Sequence, residues 1–209
     1  MATDKFKYQK VVNNYMSSKA LSRYVNEALE ELKKAEVKIY VDTSSLIEMG
    51  DYRIVTQSAE FYTTPPIYNE IVYNMRNGKI PGYVLDGLKI NKEKSNKITF
   101  FDDGKVNCTD NKAKEWWEKI KEAAENGEKE KHNLDKISNA DFSLIYHAVE
   151  TWRLTGNRVV VLSEDAHIKE TIEELSKEYP ELNIEVISIR DIVKEYKNQR
   201  ENNYASASA

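Results

Sequence analysis

Residues 159–162, "VVVL", are four consecutive apolar residues with no polar residue alternating among them. A strand of this kind cannot lie on a sheet with one wet face. It must be covered on both sides, the setting of a parallel sheet between helix layers. "KIYV", residues 38–41, is a second short run that reads as a buried strand. Around these runs strand-like and helix-like stretches alternate. "AEFYT" leads into a helix opened by Thr64 and Pro65 and closed near Gly78. "SNADFSLIYHAVETWRLTGN" reads as a helix capped by Ser138 and ended by Gly156, and a helix through "AHIKETIEELSKEY", a strand "NIEVISI" and a closing helix "RDIVKEYKNQ" follow "RVVVL". Alternation of this kind predicts an α/β, three-layer α/β/α fold with a central, mostly parallel sheet.

The chain of 209 residues is sized for one core. The expected division is an N-terminal helical extension at 1–35 and a core domain at 36–193. The segment 79–136 within that domain is expected as a variable insertion, and 194–209 as the end of a helix plus a small-residue tail. Val11, Tyr15, Leu21, Val25 and Leu32 recur at helical spacing and predict one or two amphipathic helices in the extension. Residues 79–109 predict strands and loops, with Asp102 and Asp103 beside Gly104 as a hairpin turn. Residues 111–126 predict a helix with Trp117, Ile120 and Ala124 inward, and "ENGEKEKHNLDKI" a loop.

Both buried runs end in acid. Asp42 follows Val41, and Glu164 and Asp165 follow Leu162 and Ser163. In open α/β sheets functional groups collect beyond the carboxyl ends of the strands. Two more acids lean toward the same end by helical geometry, Glu70 beside the stripe of Ile67, Ile71 and Met75, and Asp141 at the head of the stripe through Leu144, Ile145, Ala148 and Trp152. Each also has a plain structural reading. Asp141 stands three after Ser138 as in a capping box, Asp165 or Glu164 suits a helix cap, "DTSS" suits a turn, and Glu70 could be a half-exposed helix residue.

Together, crowded carboxylates repel and need a cation. None of these motifs contains Lys or Arg to supply it. A divalent metal would, and oxygen-only ligation favours Mg²⁺ or Mn²⁺ over zinc. Whether one ion or two is left open.

In order and context, Asp42 in "VDTSSLI", Glu70 in "TPPIYNEI", Asp141 in "SNADFSLIYHA" and Asp165 in "VVVLSEDAHI" resemble the four acidic motifs of PIN-domain ribonucleases. The resemblance spans about 37–193. It implies a PIN-like nuclease domain, endonucleolytic cleavage of structured or precursor RNA by water activated with Mg²⁺ or Mn²⁺, and Asp42, Asp141, Asp165 and Glu70 as metal ligands and catalytic residues. Ser44 matches the small hydroxyl that braces the first aspartate, and Glu164 is a further candidate. The hydroxyl at position 44 also argues against haloacid dehalogenase-type phosphatases, which need a second aspartate there. Within the family the chain resembles the archaeal ribosome-assembly branch, without its four-cysteine zinc ribbon, since Cys108 is the only cysteine. It is also similar to minimal protein-only ribonuclease P, without the long basic hairpin. Two further readings remain, a non-catalytic RNA-binding or assembly module and a toxin-like nuclease held by an antitoxin.

RNA is the expected partner, with a ribosomal or other protein partner possible in principle and the oligomeric state open. The net charge of −4 advertises no basic field overall, but residues 1–38 carry eight basic against five acidic residues. A lone cysteine, no run of twenty apolar residues and no hydrophobic leader fit a cytoplasmic, membrane-free protein. Trp116 and Trp117 could stack on bases, though packing is the commoner use of such residues.

Overall fold

The computed structural model describes residues 2–35, 37–57, 59–100, 106–130 and 137–207, with side chains described from 18 to 127 and from 137 to 199 within those ranges. In chain order the elements are α1 (Ala2–Lys34), β1 (Lys38–Val41), α2 (Thr43–Asp51), β2 (Ala59–Thr63), α3 (Pro65–Arg76), α4 (Gly82–Leu85) and β3 (Leu88–Lys92). There follow β4 (Ile98–Phe100), β5 (Val106–Cys108), α5 (Asn111–Glu130), α6 (Asn139–Thr155), β6 (Val159–Leu162), α7 (Ala166–Glu178), β7 (Ile184–Ile187) and α8 (Ile189–Ala207).

Five parallel strands in the order β3-β2-β1-β6-β7 form the central sheet, flanked by helices in the expected three-layer α/β/α arrangement. All four residues of β6 are fully buried, as a strand with no polar alternate requires. In β1, beyond the half-buried Lys38, Tyr40 is also fully buried, and its hydroxyl is satisfied by Thr151 of α6 at 2.7 Å and by Glu93. From β1 the chain proceeds outward to β2 and β3 on one side, then returns to place β6 and β7 on the other. The reversal falls between β1 and β6, and at such a switch point the carboxyl ends of two strands leave a crevice.

Helix signals in the sequence act as expected at two of the helices around that crevice. Pro65 and Pro66 open α3, where missing N–H groups cost nothing. Ser138 caps α6, and Gly156, with φ of 70°, closes it in the left-handed conformation. Gly87 serves differently, since a Cβ there would lie 2.1 Å from the Thr56 carbonyl oxygen, so the turn into β3 can pass that loop only as glycine.

Several stretches differ from the expectation, as does Met75, expected on the inward stripe of α3 but 42% exposed. The extension is one helix, α1, within the expected one or two, and Leu21, Val25 and Leu29 are buried in the common core. Asn26 of α1 is stitched to the loop after α2, donating to the Val55 carbonyl at 2.9 Å and accepting from the Gln57 N–H at 2.7 Å. The segment expected as an insertion contributes β3 to the sheet, while β4 and β5 form a separate antiparallel hairpin. The expected turn at Asp102, Asp103 and Gly104 lies outside the described residues. The loop expected from Glu125 is helical to Glu130, with 131–136 outside the described residues, and the expected tail continues α8 to Ala207. Trp117 packs on Phe100 and Phe142, and Trp116 on Trp152 and Tyr179, so both belong to helix packing.

Candidate active site

The register of β1 on β6 pairs Val41 with Leu162, so the next residues, Asp42 and Ser163, emerge side by side at the crevice. The Asp42 N–H extends the ladder by one bond, to the Leu162 carbonyl at 3.0 Å. Asp42 is the N-cap of α2 and is 5% exposed. Its Oδ1 accepts the Thr43 N–H at 2.6 Å, and its Oδ2 accepts the hydroxyls of Ser44, at 2.5 Å, and Ser163, at 3.0 Å. A buried carboxylate held by so many donors has one orientation. Ser44 in turn accepts the Glu164 N–H at 3.0 Å, and Ser163 the Asp165 N–H at 3.0 Å, so the two hydroxyls tie both strand ends together.

Asp165 caps α7, its Oδ1 accepting the His167 N–H at 2.7 Å with His167 Nδ1 3.2 Å away. Asp141 completes a capping box, its Oδ2 accepting from the Ser138 hydroxyl at 2.7 Å and the Ser138 N–H at 3.2 Å. Glu70, exposed on the second turn of α3, accepts from the Thr43 hydroxyl through Oε2 at 3.3 Å. The opposite oxygens, Asp141 Oδ1, Asp165 Oδ2 and Glu70 Oε1, carry no hydrogen bond among the described residues.

The four acids feel one another. Burial pushes the Asp42 carboxyl up, and the Asp165 charge adds to this against the pull of Ser44, Ser163 and Thr43. Loss of solvent followed by the negative charge of Asp42 raises Glu70. Burial, with Asp42 and Asp165 adding repulsion against the Ser138 hydroxyl, pushes Asp141 up to about 6. No Lys or Arg forms an ion pair with any of the four among the described residues. This is an all-oxygen, uncompensated set, the kind a hard divalent cation suits. Among the described residues no three His, Cys, Asp and Glu side chains form a ready metal cage. In the present rotamers Asp42, Asp141 and Asp165 each turn an oxygen to the donors of a helix cap.

Glu164, the further candidate, is placed elsewhere. Its Oε2 accepts the Ser188 hydroxyl at 2.7 Å and its Oε1 the Ile189 N–H at 2.6 Å, capping α8, while Arg190 Nε lies 3.6 Å from Oε2. The adjacent acids at the end of β6 therefore part, Glu164 to α8 and Asp165 to the crevice. Sequence reasoning missed Ser163 and Thr43. The only signal for Ser163 was a small hydroxyl between a buried strand and an acid pair. Nothing local marked Thr43, whose partner Glu70 is 27 residues away.

No protein-family model matches the chain, and no curated protein is significantly similar to it. Among the described residues no helix is long and apolar enough to cross a membrane.

Proposed function

We propose that the chain is a Mg²⁺- or Mn²⁺-dependent endoribonuclease that processes structured or precursor RNA. The observation that carries this reading is the convergence of Asp42, Glu70, Asp141 and Asp165 at the sheet's switch point, with no basic side chain paired to them among the described residues. The order of these acids along the chain, which resembles that of PIN-domain ribonucleases, supports RNA as substrate.

A divalent ion bound there would lower the pKa of water and stabilise charge on the scissile phosphate. Asp42, fixed by Thr43, Ser44 and Ser163, would be the central ligand. Asp141 and Asp165 would offer their unengaged oxygens from the ends of α6 and α7. Glu70, held by the Thr43 hydroxyl, would orient the attacking water and accept its proton.

The test is incubation of the full chain with structured RNA in Mn²⁺, in Mg²⁺ and in EDTA, with Asp42→Asn beside the parent. The expected result is cleavage only with metal and only by the parent, leaving 5′-phosphate and 3′-hydroxyl ends. RNA retained but uncut in Mn²⁺ would assign the chain to the binding-module reading instead.

A further inference from the structure

A second cavity shares α3 and α6 with the acid cluster. It encloses about 260 Å³ between the start of α3, the middle of α6 and the β4 strand. That is below the roughly 300–1,000 Å³ of sites for drug-sized ligands, a size suited to one flat ring system. Thr64 and Pro66 line one side, Phe100 another, Ser95 and Lys94 the rim. Thr64 and Ser143 hydroxyls, 2.6 Å apart, pin α3 to α6 at its edge, two residues along α6 from Asp141.

His147, one helical turn beyond Ser143, forms part of the wall. It is only 6% exposed. Neither of its ring nitrogens makes a hydrogen bond to the protein among the described residues. Its open bonding positions belong to a side chain on the cavity wall, where a ligand or water can complete them. Burial pushes the imidazole down, keeping it neutral, with one donor and one acceptor.

At the rim Lys94 is exposed and makes no ion pair among the described residues. An aromatic wall, a neutral donor–acceptor pair inside and free positive charge outside describe the complement of a base with its phosphate.

We propose that this cavity receives a single unpaired nucleobase of the RNA, read by His147 and stacked on Phe100, with Lys94 on the adjoining phosphate. This rests on the nuclease reading for its substrate and adds a specificity pocket beside the reacting centre.

The experiment titrates the four nucleoside 5′-monophosphates and ribose 5-phosphate onto the full chain in EDTA. Quenching of Trp117, whose ring centroid is 5.6 Å from that of Phe100, gives the readout. Saturable binding of some bases but not of ribose 5-phosphate is expected. His147→Leu should weaken it about tenfold, the loss of one or two buried hydrogen bonds. Should that variant not fold, Thr99→Trp, at an exposed position of β4 on the cavity wall, should block binding instead. Equal binding of ribose 5-phosphate, no saturation with any base, or unchanged affinity in the folded variants would overturn the proposal. Base binding without cleavage of RNA in Mn²⁺ would remove the nuclease reading and leave the pocket; cleavage without base binding would do the reverse.

Discussion

Glu164 and Asp165 are neighbours in sequence and end the same strand, yet they enter two acidic groups of opposite character. Glu164 joins Glu48 around Arg190, whose Nη2 is 2.7 Å from Glu48 Oε2 and whose Nε is 3.6 Å from Glu164 Oε2. Asp165 joins Asp42, Asp141 and Glu70, to which no cation is paired among the described residues. Where the chain provides its own guanidinium and a helix N-terminus, the acids serve the fold. Where it provides helix N-termini but no guanidinium, the compensating charge is left to solution or to a ligand, and the site is open to chemistry.

The sharpest way to break this contrast is to remove the charge at the centre of the uncompensated group. Asp42→Asn should lower metal-dependent RNA cleavage by about 10²–10³. Asparagine still caps α2, so the fold should survive. Parent-like cleavage by the variant would show that the uncompensated acids are not the reacting centre.

Metal should separate the two groups by stability next. Mn²⁺ at about a hundred times its dissociation constant should add roughly 2.7 kcal/mol to the parent, read as a rise in melting temperature. In EDTA, Asp42→Asn should melt above the parent, because it removes a buried charge that Asp165 repels. A parent indifferent to Mn²⁺ would put both acidic groups in the structural class.

Acid should narrow the difference in a defined window. The Asp141 carboxyl is pushed up to about 6 from an ordinary 3.8. In the metal-free protein it therefore contributes stability that is full below about pH 3.8 and lost as the pH rises through about 6. Metal needs the ionised form, so Mn²⁺ affinity should fall about tenfold for each pH unit below about 6. Calorimetric titration at several pH values, with Asp141→Asn flattening the dependence, checks the assignment to this residue.

The contrast also shows where sequence is legible. The polar-free run at 159–162 dictated a sheet covered on both faces, and the strand endings then located Asp42 and Asp165. Asp141 could be read both as a cap and as a site residue, and it occupies both settings. Helix α2 escaped notice because Asp-Thr-Ser-Ser is turn chemistry and N-cap chemistry alike. Strands within 79–109 were legible, but not that β3 joins the central sheet, because its lysines, Lys89 and Lys92, suit an edge strand and not a central one. Helix α5 outruns its expected end partly because Gly127 lies against Glu170 of α7, a contact no local pattern announces. Glu164 could not be told from Asp165, since its partners Ser188 and Ile189 stand 24 and 25 residues further on.

The smallest effect is the most discriminating for that pair. Glu164→Ala strips an acceptor from the Ile189 N–H and the Ser188 hydroxyl at the start of α8, and should cost about 1 kcal/mol, as loss of a helix cap does. The Glu164 N–H that braces Ser44 is backbone and stays, so the grip on Asp42 should survive. Because Arg190 is 62% exposed, its ion pair should add little to that cost. The loss should be the same with and without Mn²⁺ in paired melting curves. If the variant instead loses its Mn²⁺ response while keeping its metal-free melting temperature, Glu164 belongs with the metal-seeking acids, and the two groups at the end of β6 are one.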